Sequence, residues 1–261
     1  MKMAIKYNSW RNWKNKTEIE RKAIKSLEKA KELVINSVPK DNLVAIYIKG
    51  SFVRREMKTG SDVDMVPIIA GNRYQNAVFE INSSAIDPVI VVPLSLWELK
   101  HNKLWTKSNY KPDLRAKPDR LLKKIKDCKL VYGKSINPKN YPIRDDKTAL
   151  KDEIRVIKIG YIPLYEKGEI KFDSLLKEVF WLVELEQNIF GKKTKHSFEG
   201  ITNSVDNTKH IIHDAFDLRK KPSKSEEKKF ILKLKKHLEE SEKRYKHAHT
   251  TSNKPLKELR Y

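Results

Sequence analysis

Cysteine is almost missing from this chain: Cys128 stands alone among 261 residues. A single thiol excludes an internal disulfide framework and fits a reducing compartment. Long apolar runs are missing too, and no stretch approaches the ~20 residues that a membrane-spanning helix needs. The opening Met1–Tyr7 has no apolar core of the secretory-leader kind, so a soluble, cytoplasmic protein with no membrane partner is expected. Acidic residues are the third shortage: 34 Asp and Glu stand against 56 Lys and Arg, a net charge of +22. Such an excess attracts RNA, DNA or anionic lipid. A lysine-heavy or heat-adapted surface would give the same composition. Only 39% of residues are hydrophobic and 34% are charged. Apolar periodicity nonetheless persists almost to the C-terminus, so the chain reads as folded.

What is present begins with a capping box, Thr17 with Glu20, ahead of apolar residues at helical spacing from Ile19 to Val38, where Pro39 stops the helix. A strand follows at about Leu43–Ile48, and another carries Asp62 and Asp64 and runs to about Ile69. Ala77–Ile81 and Ala85–Val92 read as two further strands in a hairpin-like arrangement around Asn82-Ser83-Ser84. Ser95 and Glu98 cap a helix to about Lys103, and Leu121–Lys129 reads as helical. From Thr148 on the pattern is helical throughout. One helix is capped at Asp173 or Ser174, a second spans about Phe198–Leu218, and a third is capped by Ser223 and Glu226. The expected fold class is α+β: a small mixed sheet with flanking helices over residues 1–145, then an all-α helical bundle over 146–261.

The chemistry concentrates in Ile46–Arg54 and Ser61–Val66. On a strand, Asp62 and Asp64 point the same way, and two like charges on one face are ordinarily compensated by a divalent cation. Upstream, Gly50 has no Cβ and Ser51 carries a hydroxyl, so the turn can bring backbone N–H groups close to a phosphate. Asp87, the one acid in an otherwise apolar run, can complete a three-carboxylate site if its strand pairs beside Asp62 and Asp64. Glu80 is the competing third acid.

Gly50-Ser51, Arg54, Ser61-Asp62-Val63-Asp64 and Asp87 together resemble the DNA polymerase β-like nucleotidyltransferase superfamily, in particular its minimal and kanamycin-type members. The likeness is close over residues 43–92 and looser over the helix from Ser95 and over Leu130–Gly133. It implies an Mg²⁺-dependent enzyme using two ions, or Mn²⁺ in their place, with Asp62, Asp64 and Asp87 as catalytic and metal-holding acids. Gly50, Ser51, Arg54 and Ser61 would bind the nucleoside triphosphate, ATP or another. Arg55 departs from the pattern, since Gly often stands there, and this leaves the local turn shape open. The acceptor hydroxyl is open too. Charge points to an RNA end, tRNA included, while length and two-part layout point to a small molecule of the aminoglycoside type. A non-catalytic antitoxin or RNA-binding module is the third reading, and the intact acids speak against it.

Three weaker signals have plainer explanations. His210, His213 and Asp214 lie a helical turn apart and read as a polar face rather than a metal site. Arg244 with His249 resembles the ribonuclease signature of HEPN-domain proteins and reads as a solvated helix end. Tyr7, Trp10 and Trp13 alternate with cations, as base-stacking residues do, and read as an anchored N-terminal segment.

Overall fold

A computed structural model describes residues 10–105, 114–192 and 194–247. Tyr7, Lys111–Asp113 and His249 therefore lie outside the described residues. The chain divides after Ile143 into two compact units.

The first unit is built on a mixed sheet. Strand β1 (Leu43–Lys49) lies between β2 (Val63–Ile69) and β5 (Lys129–Gly133), antiparallel to both. The short β3 (Val89–Val91) and β4 (Leu94–Ser95) pair with β2 in parallel. Strand alternation gives the sheet two apolar faces. Ile46 and Ile48 of β1 and Val63 and Met65 of β2 pack with Ala23, Leu27, Ala30 and Val34 of α1 (Glu18–Ser37). On the opposite face, Ala45 and Tyr47 of β1 and Val66 and Ile68 of β2 pack with Leu99 of α4 (Leu96–His101) and with Leu121 and Leu122 of α5 (Pro118–Lys124). The α1 capping box forms as the sequence predicts, with Thr17 and Glu20 each accepting from the other's backbone N–H.

Two expected strands are corrected. Ala77–Ile81 is not extended: α3 spans Gln75–Phe79, and Gln75, Val78 and Phe79 are buried at the spacing of one helical face. Ala85–Val92 shrinks to Val89–Val91, because Ser84–Ile86 forms a 3-10 turn and Pro88 has no N–H to give a ladder. The hairpin is thereby replaced by a crossover that returns the chain parallel to β2. The expected helix Leu121–Lys129 ends earlier, and Lys129 already belongs to β5.

The second unit is helical, as expected. It runs through α6 (Asp146–Val156), a π-helical stretch at Ile157–Tyr161, α7 (Ile162–Glu166) and α8 (Phe172–Ile189). Then come α9 (Phe198–Asn203), α10 (Ile211–Lys220) and α11 (Lys224–His247). The expected cap at Asp173 or Ser174 is displaced to Lys171, and Asp173 pairs with Arg219 instead. The single helix expected over Phe198–Leu218 is two. Asn207 turns the chain by accepting from Lys209 N–H, and the His210 ring then caps α10. No helix among the described residues is long and apolar enough to cross a membrane.

One position governs how β5 closes on β1. Gly133 has φ +78°, and a Cβ placed there would stand 2.1 Å from the carbonyl oxygen of Val44. Gly133→Ala should therefore cost roughly 2–4 kcal/mol, combining left-handed strain with overpacking. Urea unfolding of the full chain measures it, and a loss below about 0.5 kcal/mol, the ordinary range for a surface change, contradicts this packing.

Candidate functional site

Register decides where the acids stand. Lys49, the last residue of β1, is the direct partner of Asp64 in β2. On the shared face, Lys49 Nζ reaches 3.2 Å from Asp64 Oδ2, with both side chains partly exposed. Gly50 follows at once, with φ +88°. A Cβ on Gly50 would lie 3.3 Å from Asp64 Oδ2. The turn backbone thus runs directly beside the carboxylate, an approach that only glycine makes without crowding. Ser51 opens the short helix α2 (Ser51–Arg54). Asp62 immediately precedes β2, two residues before Asp64. In the neighbouring strand Ile90 is level with Asp64 and 39% exposed, which leaves this end of the face open to solvent.

The remaining expected residues have these surroundings. Arg54 Nε donates to Glu56 Oε2 at 2.7 Å. Ser61 closes a tight turn: its Oγ accepts from Lys58 N–H, and its own N–H donates to the Lys58 carbonyl, both at 2.9 Å. Asp87 does not lie on a strand; it is an exposed residue between the 3-10 turn and β3. Its backbone does come alongside Asp62, because Val63 N–H donates to the Pro88 carbonyl at 2.9 Å. The Asp87 carbonyl accepts from Ser26 Oγ of α1 at 2.6 Å, which ties this residue toward the α1 side of the sheet. Glu80 sits at the C-terminal cap of α3, off the sheet.

Asp62 and Asp64 offer hard carboxylate oxygens two residues apart, both partly open to solvent, a donor type that suits Mg²⁺ or Mn²⁺. Asp87 does not join them: among the described residues, the three-residue group with ligand atoms all within 4.8 Å of one another is Glu186, His210 and His237. Cys128, just before β5, feels the charges of Lys49 and Asp64. Burial pushes its thiol up to about 11, so it stays protonated and is no nucleophile.

The turn after Gly50 is pinned from two directions. Phe52 is fully buried and packs edge-on to Trp10 at 5.5 Å and tilted against Trp13 at 5.0 Å. These tryptophans therefore anchor the segment on Phe52. Arg55 adopts φ +59°, ψ 39°, the left-handed conformation that glycine takes without strain. Its guanidinium grips Glu20 through two hydrogen bonds of 2.9 and 3.0 Å and the carbonyls of Lys14 and Asn15 at 3.0 and 3.1 Å. It also stacks 5.0 Å over Trp13. The turn shape left open by the sequence is thus a glycine-like turn made with arginine. Hydrogen bonding from Arg55 holds the Glu20 carboxyl below its ordinary value of 4.5, against the upward push of burial.

The sequence reading missed Lys49 and the Arg55–Glu20 clamp. Lys49 was discoverable from the β1–β2 register, which sets the last residue of one strand against the acid of the other. The clamp spans 35 residues and has no local signal.

No family model matches the chain, and no curated protein matches it by sequence. Seven solved chains match by structure. One is a candidate nucleotidyltransferase from Sulfolobus solfataricus, similar over 33% of this chain and 82% of its own, at 23% identity and a TM-score of 0.27. Another is spectinomycin adenyltransferase AAD(9) from Enterococcus faecialis, solved with ATP and spectinomycin. It is similar over 76% of this chain and 99% of its own, at 16% identity and a TM-score of 0.36. At those values the reading of this chain rests on its own strands and side chains.

The clamp makes a direct prediction. Glu20→Gln and Arg55→Lys should each lower the melting temperature at pH 7, and the double variant should be no worse than the poorer single. The Glu20 pKa is depressed in the folded state, so the contribution is complete above pH 4.5 and drains as pH falls below it. Additive losses would mean that the two side chains act independently.

Proposed function

We propose that the α/β unit is a nucleotidyltransferase, moving a nucleoside monophosphate from a nucleoside triphosphate to an acceptor hydroxyl. The observation that carries this reading is the juxtaposition of the Gly50-Ser51 turn with Asp64, 3.3 Å from where a Gly50 Cβ would stand. A backbone turn that can approach a polyphosphate, set against a carboxylate pair, is what transfer at the α-phosphorus requires.

Asp62 and Asp64 would hold the divalent cation, which when bound spreads the charge that builds on the α-phosphate and on the departing pyrophosphate. The turn amides at Gly50 and Ser51 face the β- and γ-phosphates. Lys49 is the second cation of the site. Its pair with Asp64 is partly exposed and worth about 0–1 kcal/mol, so the ammonium is readily given up to a phosphate. The acceptor oxygen attacks the α-phosphorus in line, the bond to pyrophosphate breaks, and the acceptor proton passes to a carboxylate. Asp87 is our candidate for that third acid, ahead of Glu80, because its backbone runs beside Asp62 while Glu80 caps a helix. The excess of 22 positive charges favours an RNA end as acceptor. The small-molecule acceptor is the competing version.

Purified protein given α-labelled ATP, CTP, GTP or UTP with Mg²⁺ and fractionated RNA or metabolites should pass label to one fraction and release pyrophosphate. Asp64→Asn should lower transfer at least about 10³-fold, the loss that follows when several kcal/mol of charge stabilisation goes. Wild-type-like transfer by that variant overturns the proposal. Lys49→Ala should raise the nucleotide KM several-fold with a smaller change in kcat. With RNA as acceptor, affinity should fall steeply between low and moderate salt; a salt-independent acceptor affinity replaces RNA with a neutral small molecule.

A further inference from the structure

The helical unit buries a cluster that nucleotide transfer does not use. Glu186 of α8, 2% exposed, faces His237 and Ser241 of α11 and the His210 ring that caps α10. His237 Nε2 lies 3.2 Å from both Glu186 oxygens, and Ser241 Oγ donates to Oε1 at 2.7 Å. His210 Nε2 stands 3.9 Å from Oε2, beyond hydrogen-bond distance of the carboxylate but on the same pocket of space. The two imidazoles meet edge to face, their centroids 5.0 Å apart. His213, read from the sequence as His210's companion on a polar face, instead contacts the Val205 carbonyl at 3.2 Å. His210 turns inward and finds its partners 24 residues before it and 27 after it in the chain.

We infer that Glu186, His210 and His237 form a transition-metal site of the zinc class, a structural staple joining α8, α10 and α11. One carboxylate oxygen and two imidazole nitrogens are a donor set that zinc takes with three protein ligands, the fourth tetrahedral position being left to water. The ligand atoms all lie within 4.8 Å of one another. The shorter separations, 3.2 and 3.9 Å, bracket the edge of roughly 3.3–3.4 Å set by tetrahedral bonds of about 2.0–2.1 Å. Ser241 beside Oε1 is the outer partner that orients the ligating carboxylate. This set is chemically distinct from the all-carboxylate Asp62/Asp64 pair, so the staple does not depend on the proposed activity.

Two features set the terms of binding. His210 Nδ1 accepts from Ile212 N–H at 3.2 Å, so ligation through Nε2 moves the ring proton to Nδ1 and gives up that cap bond. One N-cap bond is worth far less than a zinc site, so the metal prevails. Without the ion, Glu186 and His237 form an ion pair. Burial pushes the Glu186 carboxyl upward, but the His237 charge and hydrogen bond and the Ser241 hydroxyl hold it down at about 2. For His237 burial acts downward, and the Glu186 charge and hydrogen bond outweigh it to raise the imidazole. Ligation takes a neutral imidazole and an ionised carboxylate, so the measurement is made at mildly alkaline pH.

The full chain, stripped with chelator and dialysed, should bind one equivalent of Co²⁺ with the visible bands of a tetrahedral nitrogen–oxygen site. Zn²⁺ should displace it and raise the melting temperature by several degrees. His237→Gln keeps a hydrogen-bond donor toward Glu186 but should lose at least about 100-fold in Co²⁺ affinity. Asp62→Asn/Asp64→Asn should leave the spectrum intact. Absence of a stoichiometric tetrahedral spectrum in the wild-type chain, or an unchanged spectrum in His237→Gln, overturns the site and leaves a hydrogen-bonded core cluster in its place.

Discussion

The antiparallel register that sets Lys49 opposite Asp64 is the constraint on which the candidate site depends. A slip of one residue would carry every side chain of β1 to the opposite face. Lys49 would then turn toward the α1 layer, and Ile48 would turn out toward the acids. The register is held because both faces of β1 are buried, Ile46 and Ile48 against α1 and Ala45 and Tyr47 on the other side. The Tyr47 hydroxyl adds a directional tie, accepting from Ile136 N–H at 2.7 Å. Hydrophobic burial thus locates the strand, and strand alternation then delivers Lys49 and Asp64 to one partly open face. Because Gly50 directly follows Lys49, its turn emerges at Asp64 with no further adjustment of the backbone.

Arg55 shows how a local departure can be absorbed elsewhere in the fold. A non-glycine residue in the left-handed region is strained, and such strain persists only where surrounding contacts over-determine the conformation. Here those contacts are a two-bonded pair with Glu20, two backbone carbonyls and the Trp13 face. Glu20 simultaneously closes the capping box of α1. One carboxylate therefore fixes the start of α1 and the end of the Gly50 turn together. Flexibility at that position is exchanged for a rigid link between turn and helix.

The elements legible in the sequence are those whose signals are strong and local. Thr17 with Glu20 marks the α1 start, and continuous apolar runs bounded by turns mark β1 and β2. Asp62 and Asp64 follow from alternation alone. Ala77–Ile81 was misread because five residues with mixed polarity satisfy a period of 2 and of 3.6 about equally. The strand expected around Asp87 ignored Pro88, whose missing N–H delays pairing until Val89. The single helix expected over Phe198–Leu218 divides because Asn207 turns the chain and His210 caps α10 through their side chains, a device that hydrophobic periodicity does not register. Lys49, the Arg55–Glu20 clamp and the Glu186–His237 pair share a different obstacle. Each is a contact between elements, and composition or spacing within one element carries no trace of it.

The charge of the chain can be weighed apart from the site. Several lysines of the helical unit have acidic partners: Lys158 with Glu242, Lys235 with Glu166, Lys233 with Asp214 and Lys229 with Glu226. Such pairs are partly exposed and individually weak, so they do not remove a cation from reach of a phosphate backbone. Nor can pairing remove the excess. If every one of the 34 acids held one base, 22 of the 56 bases would still be uncompensated. A uniform lysine excess attracts a polyanion without orienting it. Lys49 differs because strand register fixes where it stands relative to Asp64. Bulk charge is therefore a property of the whole surface, while the Lys49–Asp64 pair is a property of the β1–β2 register. A change in one need not disturb the other.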